Sequence, residues 1–228
     1  MAQCFLFGAL MLALSFPLNA QEVLRGEVRI ELEPVYSDGD VPYPHPPSLQ
    51  SVQWMALEEA ALFFSAMIYG WSFEYDIGER ARGIAEAFEL SPLGTILFGD
   101  PRLFATDAQV ADMRLYLWAD YHLNEQQRRR MGMWKSGTVR TAQALGHGPL
   151  GGPEHKADWI TIKKAILEDA ARAAVRAMLR GSERNRPKTV QGYICLAGFP
   201  TYWMEAGHWT TSARFRVEIT EILPFAAY

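Results

Sequence analysis

Cysteine is scarce in this chain of 228 residues, which contains only two. Cys4 lies in an apolar stretch at the N-terminus, so removal of that stretch would leave Cys195 without an intramolecular disulfide partner. Exported eukaryotic proteins of this size usually carry cysteine pairs. The sequence also has no Asn-x-Ser/Thr acceptor for N-glycosylation. These absences favour a bacterial envelope or periplasm as the compartment.

Long apolar runs are absent as well. The run from Phe5 to Phe16 is shorter than the roughly 20 residues that a membrane-spanning helix needs. The residues that follow it, up to Ala20, are typical of a signal-peptide cleavage site. We therefore predict a signal peptide over residues 1–20 and cleavage after Ala20. No later segment offers a long enough uninterrupted apolar run, so no transmembrane segment is predicted in the mature chain.

Common catalytic motifs are also missing. The sequence contains no G-x-S-x-G, S-x-x-K or H-E-x-x-H pattern. Cys195 is flanked by apolar residues, a setting in which a thiol usually serves packing. The neighbouring carboxylates Glu58 and Glu59 point about 100° apart on a helix, so they do not face each other across a cleft. No catalytic residue, cofactor or metal site is predicted.

One glycine pattern invites a functional interpretation. Gly146, Gly148 and Gly151 match G-x-G-x-x-G, and His147 lies among them. A dinucleotide-binding loop needs a buried strand before these glycines and an acidic residue about 20 positions later. Here the preceding segment is polar, Pro149 interrupts the pattern, and Pro153 follows two residues after its last glycine. We therefore predict a flexible Gly/Pro-rich connecting loop over residues 138–156 rather than a phosphate or metal site.

Hydrophobic periodicity predicts an α+β fold, with alanine-rich helices packed on antiparallel sheet. Ser51 and Asp158 are the predicted N-caps of two long helices, and Gly70 and Gly181 are suited to end them. The predicted helices span 51–70 and 157–181, and the predicted strands span 27–35, 71–78, 113–123, 189–199 and 211–223.

The order of these elements suggests an internal repeat. A helix followed by two strands occurs once in an N-terminal half (21–137) and once in a C-terminal half (157–228), and the two halves could also form one compact domain. The charge is divided unequally. Residues 21–112 carry a net charge of −11 and residues 113–228 a net charge of +7. This asymmetry fits either attraction between two parts of one fold or contact of the basic part with an anionic partner.

An aromatic cluster between the last two predicted strands is one candidate surface. Aromatic rings, a carboxylate and an imidazole could stack on a sugar or bind a partner protein, whereas the competing interpretation is that the tryptophans close the end of the core. The candidate residues are Tyr202, Trp203, Glu205, His208 and Trp209.

A basic stripe on the second long helix is the other candidate. Arg172, Arg176 and Arg180 recur at helical spacing. They form either a solvated face or a docking surface for an anionic envelope polymer or lipid headgroups. Nucleic acid is not an expected partner of an exported acidic protein.

The segment AILEDAARAAVRAMLRG (165–181), followed by a loop and a strand, resembles the alanine-rich helix of small bacterial envelope α/β domains. Such domains occur in surface-lipoprotein and flagellar-accessory (FlgT-type) proteins. The resemblance covers residues 157–223 and implies a role in binding and assembly, without assigning site residues.

These observations favour an exported, non-catalytic binding or assembly component, whose partner is another envelope protein. An envelope hydrolase acting on cell-wall glycan or peptide is one alternative. A small-ligand-binding protein is another, and it predicts an apolar pocket near Trp54 or Trp159.

Overall fold

The computed structural model describes residues 22–32, 48–78, 83, 85–148, 156–180 and 187–224. The predicted signal peptide and Gly151 lie outside these residues. Three helices and nine strands in two antiparallel sheets occur in the described part of the chain, which confirms the predicted α+β fold. The helices are α1 (Leu49–Ile68), α2 (Glu125–Met133) and α3 (Lys156–Arg180), and the strands are β1 (Val23–Glu31), β2 (Trp71–Asp76), β3 (Ala87–Pro92), β4 (Leu103–Ala111), β5 (Arg114–His122), β6 (Arg140–Gly148), β7 (Pro187–Leu196), β8 (Thr201–Glu205) and β9 (His208–Pro224).

The smaller sheet has three strands in the order β1-β5-β4. Side-chain burial alternates along its central strand, β5, because every second side chain of a strand points to the same face. Leu115, Leu117 and Tyr121 are buried on that face, together with Val28 and Ile30 of β1. Helix α1 packs against β1 and β5.

The larger sheet has the order β3-β2-β7-β9-β6, and β8 pairs with the first part of β9. Helix α3 packs along β6 and β9. Helix α1 contacts β7 and α3 as well as the smaller sheet, so α1 lies between the two sheets. This position explains why α1 is buried over most of its circumference.

The ends of the two long helices differ slightly from the prediction. Ser48, rather than Ser51, is the N-cap of α1, since its hydroxyl accepts a hydrogen bond from the Ser51 amide at 3.2 Å. Gly70 follows α1 with φ of +66°, a conformation that suits glycine. Helix α3 begins at Lys156, so the predicted N-cap Asp158 lies inside it.

Several segments predicted as irregular are ordered elements. The predicted connecting loop 138–156 contains strand β6, and the segment between the predicted strands 71–78 and 113–123 contains β3 and β4. The basic segment 124–140, for which no helix or strand is predicted, contains α2. This helix begins with a capping box formed by Asn124 and Gln127. The connection between the last two predicted strands is a hairpin of β8 and β9.

The elements of the predicted internal repeat lie in different sheets. The strand that follows α1 and β2 in the larger sheet is β3, whereas β5, the predicted second strand, belongs to the smaller sheet. Strands β2 and β7, one from each half of the chain, are antiparallel neighbours in the larger sheet. The division into halves 21–137 and 157–228 stays a prediction.

Candidate binding groove between the long helices

An open groove lies between α1, α3 and the segment that follows β3. Its volume is about 390 Å³. Its lining is mainly apolar, and a charged rim is formed by one residue of α1 and two of α3. The apolar lining includes Leu62, Trp71, Leu90, Ile96, Ile160 and Leu167.

The helix period places the lining side chains. Ala61, Leu62 and Ser65 recur at spacings of three and four on α1, and Ile160, Lys164 and Leu167 do so on α3, so each set shares one face. The two faces form opposite walls of the groove.

Ser65 fixes the third wall. Its hydroxyl donates to the Ala61 carbonyl at 2.6 Å and accepts a hydrogen bond from the Ile96 amide at 2.8 Å. Both bonds are buried. The segment around Ile96, which is irregular in backbone conformation, is therefore held against α1.

Exposed aromatic and aliphatic side chains lie at the mouth of the groove. Leu97 and Phe98 line the groove and are 73% and 50% exposed. Trp54 of α1 is 52% exposed, and its ring packs edge-to-face on Phe98 with centroids 5.5 Å apart. A contiguous exposed apolar surface of this kind is typical of a binding site in a protein that is otherwise well packed.

The rim of the groove is acidic on balance. Glu58 lies on the α1 wall, and Lys164 and Glu168 lie on the α3 wall. Among the described residues none of these three forms an ion pair with another side chain. The rim therefore presents two carboxylates and one ammonium group to whatever enters.

A buried ion pair joins the same two helices beside the groove. Lys163 Nζ lies 3.4 Å from Glu59 Oε1, and both side chains are buried. The indole Nε1 of Trp159 donates to Glu59 Oε2 at 2.8 Å. Burial raises the pKa of Glu59, an effect that Lys163 and Trp159 oppose. Burial lowers the pKa of Lys163, and the Glu59 carboxylate opposes this.

Aromatic rings surround the Lys163 ammonium group. Its nitrogen lies 4.4 Å from the ring centroid of Trp159, 3.7 Å from that of Tyr202 and 4.8 Å from that of Trp209. These distances are within the range of cation–π attraction, which is stronger in a desolvated site. The Glu59–Lys163 pair and this cage fix α1 relative to α3, and hence the separation of the groove walls.

The predicted aromatic cluster is divided by the β8–β9 hairpin. Tyr202 and Trp209 face the helices and join the Lys163 cage. The hydroxyl oxygen of Tyr202 is buried with no hydrogen-bond partner among the described residues, and burial raises its pKa. Glu205 and His208 are exposed near the turn, and Trp203 Nε1 donates to Glu205 Oε2 at 3.0 Å.

The five residues therefore do not form one surface, and a binding role for them stays a prediction. The competing interpretation, in which tryptophans close the core, describes Trp209, whose side chain is buried.

The basic stripe of α3 is paired with carboxylates of this chain. Arg172 bonds to Asp169 one turn earlier, and Arg176 Nη1 lies 3.7 Å from Glu86 Oε2. The side chain of Arg180 lies outside the described residues. Anionic docking on this stripe stays a prediction.

The glycine pattern has a packing role. A Cβ atom added to Gly146 would lie 2.3 Å from the Ile166 carbonyl oxygen, and one added to Gly148 would lie 2.3 Å from Cγ1 of the same residue. The two glycines thus allow α3 to approach β6 closely. His147 Nδ1 lies 3.2 Å from Thr210 Oγ1. Within the described ranges, no group of three or more His, Cys, Asp or Glu side chains could hold a metal ion.

Cys195 is a buried thiol, as its apolar flanks predicted. Burial raises its pKa to about 12. The thiol is therefore protonated at neutral pH and is inert in the folded chain.

Glu59 and Lys163 are two site residues that the sequence patterns did not predict. Glu58 and Glu59 are neighbours in sequence, and only Glu58 is exposed. The spacing of Lys163 in the sequence could have indicated its role. It lies four residues after Trp159 and three before Ile166, so it shares a helix face with an apolar stripe. A charged residue within such a stripe indicates a buried partner on a neighbouring element.

The described elements thus define an α+β protein with an open apolar groove, and none of its described helices is both long and apolar enough to cross a membrane. A family model whose description names no function matches residues 15–225, and the chain belongs to that uncharacterised family. An uncharacterised protein of Treponema pallidum (strain Nichols) is similar to this chain, with 26% identity over 171 residues that cover 75% of this chain and 69% of that protein. No solved structure matches the chain. Neither match supports the resemblance to flagellar-accessory or surface-lipoprotein domains.

Proposed function

We propose that the protein is a non-catalytic binding or assembly component of the bacterial envelope, and that the groove between α1 and α3 is its binding surface. The observation that carries the proposal is the exposed apolar mouth formed by Trp54, Leu97 and Phe98. Large apolar side chains are costly to leave in water, because roughly 25 cal/mol is lost for each Å² that stays exposed. A partner that covers the mouth and fills the groove recovers this free energy.

Two observations support the envelope as the compartment. Residues 1–20 have the pattern of a signal peptide, and the similar protein of known source is bacterial. Cell fractionation and N-terminal sequencing test this part of the proposal. We expect the protein in the periplasmic or envelope fraction with Gln21 as its first residue. An intact N-terminus on protein retained in the cytoplasm would contradict it.

Capture of partners from the protein's own envelope fraction tests the binding surface. We expect wild-type mature protein to capture a partner that the variant Trp54→Ser/Leu97→Ser/Phe98→Ser does not capture. A matched control is Val110→Ser/Met133→Ser/Leu145→Ser, which removes three apolar side chains of comparable exposure that do not line the groove. This control should capture as the wild type does. Equal capture by both variants, or no capture by the wild type, would overturn the proposal.

The basic stripe is tested in the same experiment. Because Arg172 and Arg176 are paired with carboxylates of this chain, we expect Arg172→Glu/Arg176→Glu/Arg180→Glu to leave capture unchanged. Loss of capture by this variant alone would show that the binding surface is the basic stripe of α3 and not the groove.

A small apolar ligand is a second candidate occupant. A volume of about 390 Å³ falls within the usual range for ligand pockets, and Trp54 packs on Phe98, which lines the groove. Native mass spectrometry of protein purified from its own envelope fraction tests this. A bound small molecule that is absent from the Trp54→Ser/Leu97→Ser/Phe98→Ser variant would favour a ligand-binding protein.

A further inference from the structure

The groove surface extends beyond its cavity. Leu97, Phe98 and Trp54 expose half or more of their surface at the mouth, so an occupant confined to the cavity would leave them in water. An apolar strip flanked by two helices is the surface that an amphipathic helix covers in helix-in-groove recognition. Exposed tryptophan and phenylalanine rings are frequent energetic centres of such interfaces.

The charged residues around the groove favour a partner with a positively charged side chain at this position. Glu58 and Glu168 lie on opposite walls, and among the described residues Lys164 is the one cationic member of the lining. A cationic side chain entering between the two carboxylates is therefore favoured, and an anionic one is repelled.

The aromatic rings at the mouth of the groove also favour a positively charged side chain. A lysine or arginine above the ring face of a tryptophan or phenylalanine is attracted by the ring quadrupole. Fatty-acid carboxylates and anionic lipid headgroups would pair with Lys164 but would be repelled by Glu58 and Glu168. These charges argue for a basic protein segment over a lipid.

We propose that the groove binds an amphipathic helix of a partner protein, with apolar side chains in the groove and a lysine or arginine between Glu58 and Glu168. This inference rests on the proposed binding function of the groove and specifies the chemistry of its partner. The partner's apolar residues would recur at spacings of three and four, and the basic residue would flank that stripe.

Peptide selection tests the inference without a known partner. A phage-displayed library of random 16-residue peptides is selected on the immobilised mature protein, with counter-selection on Trp54→Ser/Leu97→Ser/Phe98→Ser. We expect selected peptides to share an apolar stripe with helical spacing and to contain at least twice as many lysines and arginines as the unselected library. Selected peptides that lack either feature would overturn the inference.

Affinity measurements then locate the charge contact. For a selected peptide we expect replacement of its flanking lysine or arginine by glutamate to weaken binding at least tenfold. In Glu58→Gln/Glu168→Gln the same peptide replacement should weaken binding less than threefold. The control variant Glu89→Gln/Glu221→Gln removes two exposed carboxylates that do not line the groove, and it should keep the tenfold difference between the two peptides. Unchanged discrimination in Glu58→Gln/Glu168→Gln would place the contact elsewhere and contradict the inference.

Three outcomes separate this inference from the proposed function. Failure to select any peptide, together with groove-dependent capture of an envelope protein, would overturn the helix inference and leave the binding function standing. Groove-dependent binding of dodecanoate or of anionic phosphatidylglycerol vesicles, stronger than that of any peptide, would also overturn it. Selected peptides without any groove-dependent partner in the envelope would support the inference and contradict the proposed function.

Discussion

Lys163 Nζ lies 3.7 Å from the ring centroid of Tyr202 and 3.4 Å from Glu59 Oε1, so the ammonium group of α3 is held by a strand residue and by α1 together. Removal of one member of a buried ion pair leaves the other uncompensated and typically costs about 3–5 kcal/mol. We expect Glu59→Gln and Lys163→Met each to lower the free energy of unfolding by about this amount. Urea denaturation followed by circular dichroism measures it.

The double variant Glu59→Gln/Lys163→Met is the control for this prediction. It removes both charges, so we expect it to be more stable than the sum of the single effects predicts, by at least about 1 kcal/mol. Strict additivity would show that the two side chains are not coupled.

The close approach of α3 to β6 predicts that Gly146 cannot be replaced. A Cβ atom at this position would meet the backbone oxygen of Ile166 at 2.3 Å and the backbone nitrogen of Ala170 at 2.5 Å, and backbone atoms cannot move aside locally. Overpacking of a core typically costs about 1–3 kcal/mol. Thermal unfolding of Gly146→Ala should show a loss of at least this size. Gly132→Ala in α2, where a Cβ meets nothing within 4 Å, should be neutral or stabilising by up to about 1 kcal/mol.

Asp100 predicts an acid-dependent loss of stability. Arg102 donates to both carboxylate oxygens, at 3.0 and 2.7 Å, and holds the pKa of Asp100 below its ordinary value of 3.8. A carboxyl group with a lower pKa in the folded state stabilises the fold above its unfolded pKa, and this contribution is lost as the pH falls through the folded pKa. Asp100→Asn should therefore be less stable than the wild type at pH 6, and the difference should shrink as the pH falls below about 4. A difference that stays constant between pH 6 and pH 2 would contradict this origin.

Cys195 should resist alkylation in the folded protein. The thiolate is the reactive form, and a pKa of about 12 leaves almost none of it at pH 8. Mass spectrometry after treatment of the mature protein with N-ethylmaleimide should show no adduct under native conditions and one adduct in guanidinium chloride. Leu145→Cys, at an exposed position of β6, should react under native conditions. Rapid native modification of Cys195 would show that β7 opens readily.

The spacing of apolar residues along the sequence predicted the bounds of four elements closely. Helices α1 and α3 and strands β2 and β5 lie within two residues of their predicted bounds at both ends, because α3 and both strands carry a regular apolar stripe and α1 is a long apolar segment that ends at Gly70. Strand β4 was missed since its side chains are almost all exposed or half-exposed, which leaves no alternation to detect. Strand β6 was missed because Gly146 and Gly148 occupy the positions that face α3, where a strand normally shows apolar residues.

The groove could be predicted only in outline. The small-ligand alternative predicted an apolar pocket near Trp54 or Trp159, but the groove wall around Ile96 depends on a hydrogen bond to Ser65, which is 31 residues away in sequence. The Glu59–Lys163 pair likewise joins elements that local patterns treat separately. Tertiary contacts of this kind leave no periodic signature in one sequence.

The antiparallel pairing of β2 with β7 has a consequence for synthesis of the chain. Asp76 and Thr189 are cross-strand neighbours 113 positions apart. At 5–20 residues per second, about 6–23 seconds separate their translation. Phe73 and Tyr75 of β2, both buried in the finished protein, have no β7 to pair with during that interval. The nascent polypeptide thus exposes an apolar strand with one unpaired edge until β7 has been synthesised.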